Sequence, residues 1–197
     1  FPMLQMLTLV LTSVIFALVI GIPVGILGSQ KAGVRKVVNP ILDLMQTMPA
    51  FVYLIPAIFF FNIGVVPGVV ASVIFAMPPT IRLTMLGIQQ VPKDLIEATE
   101  AFGSTTWQRL FKIQIPLAKP TIMAGVNQSI MLALSMVVIA SMVGAPGLGE
   151  EVYRSVTQLK TGVGVETGLS IVIVAIILDR VTQYAGNRKK KLGGHSL

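Results

Sequence analysis

The chain has no cysteine in its 197 residues, which excludes disulfides and thiolate metal sites alike. Its one histidine, His195, lies in a glycine-rich tail, where a flexible end accounts for it more simply than metal ligation. Charge is also scarce. Asp, Glu, Lys and Arg make up 12% of the chain, against about 25% in a soluble domain, so half the usual supply for a wet surface is missing. There is no G-x-x-x-x-G-K-[ST] phosphate loop, no His/Asp/Glu metal cluster and no serine–histidine arrangement. The sequence therefore predicts no catalytic activity, no metal site, and no cofactor held by this chain.

What is abundant is apolar surface: 54% of the residues are hydrophobic and the mean hydropathy is +0.83. The length allows one domain, and the apolar excess turns its outside towards lipid. A net charge of +7 would suit nucleic acid if it were clustered on a soluble face. Here the charges sit between hydrophobic runs, so they read as membrane orientation and no nucleic-acid partner is expected.

A spanning helix needs roughly 20 mainly apolar residues. Five stretches qualify, at about 3–28, 39–62, 65–90, 117–143 and 163–185, giving an all-α integral membrane domain over 1–186. Residues 187–197 form a basic, flexible tail that serves as a topology anchor, with binding of anionic lipid a secondary reading. The first run is not a signal peptide: it is too long, lacks a basic start and ends in Gly28-Ser29-Gln30-Lys31. Because Phe1 begins inside an apolar pattern, further residues, which could include further spans, are expected upstream. All of the 15 Lys and Arg except Arg154 and Lys160 fall on one side of a five-span layout. The positive-inside rule puts that side, with the first and third connections and the C-terminus, in the cytoplasm. Prolines at 49, 56, 67, 78 and 79 should bend spans two and three, either for packing or around a pathway.

The third connection, 91–116, is the anomaly. Glu97, Glu100, Arg109, Lys112 and Lys119, with Asp94 just upstream, interrupt a greasy chain. Pro92 suits a first helical turn, and Leu95, Ala98, Thr99 and Phe102 then share a face. Gly103 can end that helix in the left-handed conformation, and Thr105 with Gln108 has capping-box spacing for the next. Leu110, Phe111, Ile113 and Ile115 supply apolar contacts, and Pro116 predicts a break before span four. Two short helices with a sharp turn either lie among lipid headgroups or dock a soluble partner.

Glu97-Ala98-Thr99, Gly103 and Ile113-Gln114-Ile115-Pro116 resemble, with every spacing kept, the EAA motif of permease subunits of ABC importers. Thr99 replaces the motif's second alanine and Ile115 its leucine. The stretches LDLMQTMPAFVYLIPAIFFFNIGVVPGVVASVIFAMPPTIRLTMLGI and AGVNQSIMLALSMVVIASMVGAPGLGEEVYRSVTQLKTG are similar to the glycine betaine and related osmoprotectant branch of that family. The resemblance implies the five-helix core of type I ABC importers. It also implies coupling helices in which Glu97, Ala98 and Gly103 dock on an ATPase, with Phe102 as an apolar anchor. The implied partners are two cytoplasmic ATPase subunits that bind ATP and Mg, a second copy of the permease as a homodimer, and a substrate-binding protein or fused domain outside. The implied place is the cell (inner) membrane.

A rival reading is an ion-coupled secondary transporter, and another is a channel-like subunit. Ion coupling favours carboxylates at mid-membrane, whereas Asp43, Glu166 and Asp179 fall near span ends. Along the solute path the sequence offers Met45, Gln46, Thr47 and Met48 before Pro49, and Asn127, Gln128, Ser129, Ser135 and Ser141 in span four. Each of these polar groups could equally bond helix to helix. Arg82, about 12 Å inside span three, either snorkels or pairs with Asp179 or with carbonyls freed by Pro78-Pro79. No aromatic cage for a quaternary ammonium is visible. The segment 144–164 is expected to be a re-entrant or scaffold surface facing a binding domain, with Glu150, Glu151 and Arg154 as docking contacts.

Overall fold

The computed structural model describes residues 1–187, so the tail 188–197, with His195 and most of the basic cluster, lies outside the described residues. The described chain is helical with short connections: α1 Pro2–Gln30, α2 Ala32–Thr47, α3 Ala50–Phe61, α4 Val65–Gln89, α5 Lys93–Ala101, α6 Thr106–Arg109, a π-helical turn Leu110–Gln114, α7 Ile115–Met142, α8 Leu148–Thr157 and α9 Thr161–Asn187. Four helical stretches are long and apolar enough to cross a membrane, and α2 with α3 makes a fifth if that bent pair counts as one span.

Helix α4 is the centre of the bundle, and small residues put it there. Gly21, Gly25 and Gly28 form a stripe along α1. A Cβ at Gly25 would lie 2.6 Å from Thr84 Cβ and 2.9 Å from the Ile81 carbonyl oxygen, so the two backbones touch. Gly125 on α7 meets the Pro79 carbonyl and Leu83 on an adjoining face, and Gly87 of α4 meets Thr121 and Ala118 of α7. Lipid gives apolar side chains no hydrophobic reason to associate, so close approach of this kind, with its dispersion gain, is what pairs membrane helices. Methyl-sized groups fill the remainder. Met6, Val10, Val14 and Ala17 of α1 interleave with Val73 and Ala76 of α4 and Ala133, Leu134 and Val137 of α7.

Polar groups cross the same contact. With the Ser129 hydroxyl donating to the Ala76 carbonyl (2.6 Å), the Thr80 hydroxyl donates in turn to Ser129 (2.6 Å). All of this is buried beside Pro78 and Pro79, which lie inside α4 without breaking it. Ser129 therefore binds helix to helix. Ser141 is also buried and donates to Val137 of its own helix.

The bend expected at Pro49 is present and divides the run 39–62: α2 begins at Ala32, not near 39, and the chain turns by 95° between α2 and α3. Pro49 has no N–H to continue the helix, and its ring holds Met48 extended at φ −77°, ψ 135°. The knee is fastened by the Tyr53 hydroxyl, which donates to the Met45 carbonyl. One expectation is corrected: Pro116 does not break the chain before α7. The helix runs from Thr106 to Met142, 37 residues, and the π turn just before Pro116 changes the hydrogen-bond register where its N–H is missing.

Arg82 also departs from expectation. It pairs with Asp43 of α2 at 2.5 Å, not with Asp179, because the knee swings α2 across the C-terminal half of α4. Beyond α7, Gly149 packs on the Val138 carbonyl, so α8 folds back against the last turns of α7.

The glycine contacts make a clear prediction. Gly25→Leu forces α1 off α4 and should cost about 1–3 kcal/mol of overpacking, read as a lower thermal midpoint of the detergent-solubilised protein. Gly33→Ala, where a Cβ meets nothing within 4 Å, should leave that midpoint unchanged or slightly raised.

Candidate functional site

The segment between α4 and α7 folds as an elbow. α5 starts after Pro92 and buries none of its nine residues. Its end is a full Schellman closure: the Ser104 N–H donates to the Thr99 carbonyl (3.1 Å) and the Gly103 N–H to the Glu100 carbonyl (2.9 Å). Gly103 sits at φ +75°, the left-handed region that costs other residues about 1–2 kcal/mol. The Ser104 hydroxyl adds a second bond to the Thr99 carbonyl at 2.6 Å. The next helix opens on a capping box. The Gln108 N–H donates to the Thr105 hydroxyl (3.3 Å), and the Gln108 side chain accepts from the Thr105 N–H (3.0 Å). Arg109 of the second arm pairs with Glu100 of the first, bracing the bend.

The elbow has an open side and a mounted side. Leu110 and Gln114, four residues apart on the π turn, are buried. Leu110 packs with Ile88 of α4 and Ala118 of α7, with Ile26 of α1 against them. Gln114 accepts from the Gln30 side chain of α1 at 3.2 Å. Three membrane helices thus hold the base. On the other side Phe102 is 91% exposed, Trp107 69% and Phe111 55%. The Trp107 and Phe111 rings stack 5.5 Å apart at 8°. Between the arms lies a hollow of about 270 Å³ lined by Thr99, Phe102, Gly103, Gln108, Arg109 and Lys112.

Glu97 and Ala98 are exposed on α5, one turn before Phe102 and Gly103, so the structure brings these four residues together on the elbow. The sequence reading named Phe111 among the elbow's apolar contacts but missed Trp107 and the Glu100–Arg109 brace. The four-residue spacing of Trp107 and Phe111 on a capped helix was the available signal for the pair.

The residues proposed for the solute path do not converge. Met45 packs in the cluster of Leu42, Ile81 and Met85, and Met48 in that of Tyr53, Met136 and Ala140. Thr47 donates to the Leu44 carbonyl of its own helix at 2.9 Å. These three stand at the α2–α3 knee. Asn127 and Ser135 lie instead on the face of α7 that meets α9, and Gln128 is exposed one residue further round. The Asn127 amide donates to Asp179 of α9 (3.0 Å), and Ser135 lines the groove between the two helices.

Comparisons with known proteins agree with this architecture. The chain is 78% identical over 192 residues, 98% of its length, to the glycine betaine transport system permease protein OpuAB of Bacillus subtilis, of which it covers 68%. It is 57% identical over 187 residues, 95% of its length, to the glycine betaine/proline betaine transport system permease protein ProW of Escherichia coli, and spans about half (53%) of that protein. Among solved structures, a chain of the methionine ABC transporter MetNI in an inward-facing conformation superposes with a TM-score of 0.79 at 25% identity, over 95% of this chain and 92% of that one. The family model for the binding-protein-dependent transport system inner membrane component matches residues 17–191, so an all-helical bundle with a braced, aromatic-tipped elbow belongs to a member of that permease family.

Proposed function

We propose that this chain is the membrane-spanning subunit of an ATP-driven importer for glycine betaine or related quaternary-ammonium and proline osmoprotectants. The observation that carries the reading is the elbow: an exposed aromatic tip on a base fastened to α1, α4 and α7. Large apolar side chains left in water at such density serve recognition, since aromatic anchors dominate protein contacts. High identity to glycine betaine permeases supports the solute class.

In this reading two cytoplasmic ABC ATPase subunits, which bind ATP and Mg, each grip one elbow of a permease homodimer. Glu97, Ala98, Phe102 and Gly103 form the grip, extended by Trp107 and Phe111. An extracytoplasmic substrate-binding protein, or a fused domain, delivers solute to the opposite side, where α8 and its Glu150–Arg154 pair offer a polar face. The basic connections and the C-terminus are cytoplasmic. When the ATPases close, each elbow moves with them, and its mounting transfers that motion to the helices lining the path, which alternates between inward and outward openings.

Vesicles holding the chain with its ATPase and binding protein should take up labelled glycine betaine only when ATP is supplied inside the cytoplasmic face; uptake driven by an ion gradient alone would overturn the reading. The double variant Phe102→Ala/Trp107→Ala should weaken capture of the ATPase by at least tenfold in a pull-down, because each aromatic anchor is worth about 2 kcal/mol. Its thermal midpoint should stay within error of the parent, since both residues are exposed.

A further inference from the structure

Asp179 stands about 12 Å inside the end of α9, eight residues before Asn187, on the side facing α7. One carboxylate oxygen accepts from the Asn127 amide (3.0 Å), the other from the Gln183 amide (2.8 Å). Both donors are neutral, so among the described residues the negative charge is positioned and not cancelled. The ion pairs among the described residues join Arg82 to Asp43, Arg109 to Glu100 and Arg154 to Glu150, and none reaches Asp179. The Asn127 Oδ1 beside it is buried without a donor, which adds a second unanswered acceptor. A carboxylate held in this way on a spanning helix, about two turns from its end, marks a site where positive charge is to be met.

The same carboxylate lines a groove of about 550 Å³ between α7 and α9, whose walls include Met131, Ser135, Val138, Ile171 and Ala175. The walls decide what kind of cation fits. A small hydrated ion needs a shell of oxygens at close range, and apolar walls provide none. A primary ammonium has N–H donors that each require an acceptor. A trimethylammonium has no donor to satisfy, and its methyl groups match aliphatic walls while one carboxylate balances its charge.

We propose that the α7–α9 groove is a weak binding site for the trimethylammonium end of the solute, with Asp179 as counter-charge and Ser135 on its wall. This rests on the transport reading above and adds a place to it. Weak binding without an aromatic cage suits a transit site, which must release what it accepts.

The absence of cysteine supplies the test. Ser135→Cys puts a single thiol of this chain in the groove, and Thr161→Cys puts one on the exposed first turn of α9 as a reference. In the assembled transporter in vesicles, the thiol is labelled with trimethylammonium-ethyl or sulfonato-ethyl methanethiosulfonate, and modification of this chain is read by mass. Relative to the Thr161→Cys reference, Cys-bearing groove protein should favour the cationic reagent by about fivefold or more. Asp179→Asn should abolish that preference, Asp179→Glu should keep it, and saturating glycine betaine should slow cationic labelling severalfold. A thiol that never reacts, a preference indifferent to Asp179→Asn, or labelling unaffected by glycine betaine would each overturn the proposal, the last pointing to a lipid occupant. ATP-driven uptake measured in the same vesicles separates the two levels. Uptake without protection removes only the groove, whereas protection without uptake removes the transport reading and leaves the site.

Discussion

The close passage of α4 between α1 and α7 is the constraint on which the rest of this molecule depends. Gly25 lets α1 come within backbone distance of Ile81, and Gly125 does the same for α7 at Pro79. Because lipid offers apolar side chains no reward for hiding, a bundle in a membrane is held by fit and by hydrogen bonds more than by solvent exclusion. The Thr80–Ser129–Ala76 chain supplies the second of these at the same level of the bundle. Every other feature is hung from this three-helix core: the α2–α3 knee through Arg82, the elbow through Ile88 and Ala118, and α8 through the Val138 carbonyl.

The outer helix behaves differently. α9 leaves Val165, Leu169, Val172, Ile173, Ile176, Ile177 and Val181 exposed, and among its described residues only Thr167 and Val174 are buried. In a water-soluble protein such a helix would be an error. Here its faces are available to lipid, to a second copy, or to the contents of the groove it forms with α7. A tight centre with a loosely held outer helix is a sensible division for a device in which some helices must move while others keep their register.

Much of this was legible in the sequence, for definite physical reasons. Long apolar runs imply helices in lipid because no other open structure satisfies the backbone there. Gly103 and the Thr105/Gln108 pair were readable because turn and cap chemistry is local, needing only neighbours in the chain. The elbow's shape therefore followed from about a dozen residues. What could not be read depended on partners distant in sequence. Arg82 could have snorkelled or met any carboxylate, and only the knee at Pro49 decides for Asp43. Pro116 resembled a helix end because the usual rule assumes an unbroken α register, and a π turn relaxes that rule. The solute-path residues were scattered for the same reason: a polar side chain inside a span announces a need for a partner without saying which one. Asn127 found Asp179, while Thr47 only bonds back to its own helix.

The unbroken run from Thr106 to Met142 has a mechanical meaning. At 1.5 Å per residue it is a shaft of about 55 Å, longer than a hydrocarbon core is thick. A flexible joint at Pro116 would have let a push at the tip dissipate as bending before it entered the bilayer. A continuous helix passes displacement of its foot along its own length to the part of the bundle that holds it. Gly125 against Pro79 is one such hold, near the middle of that length.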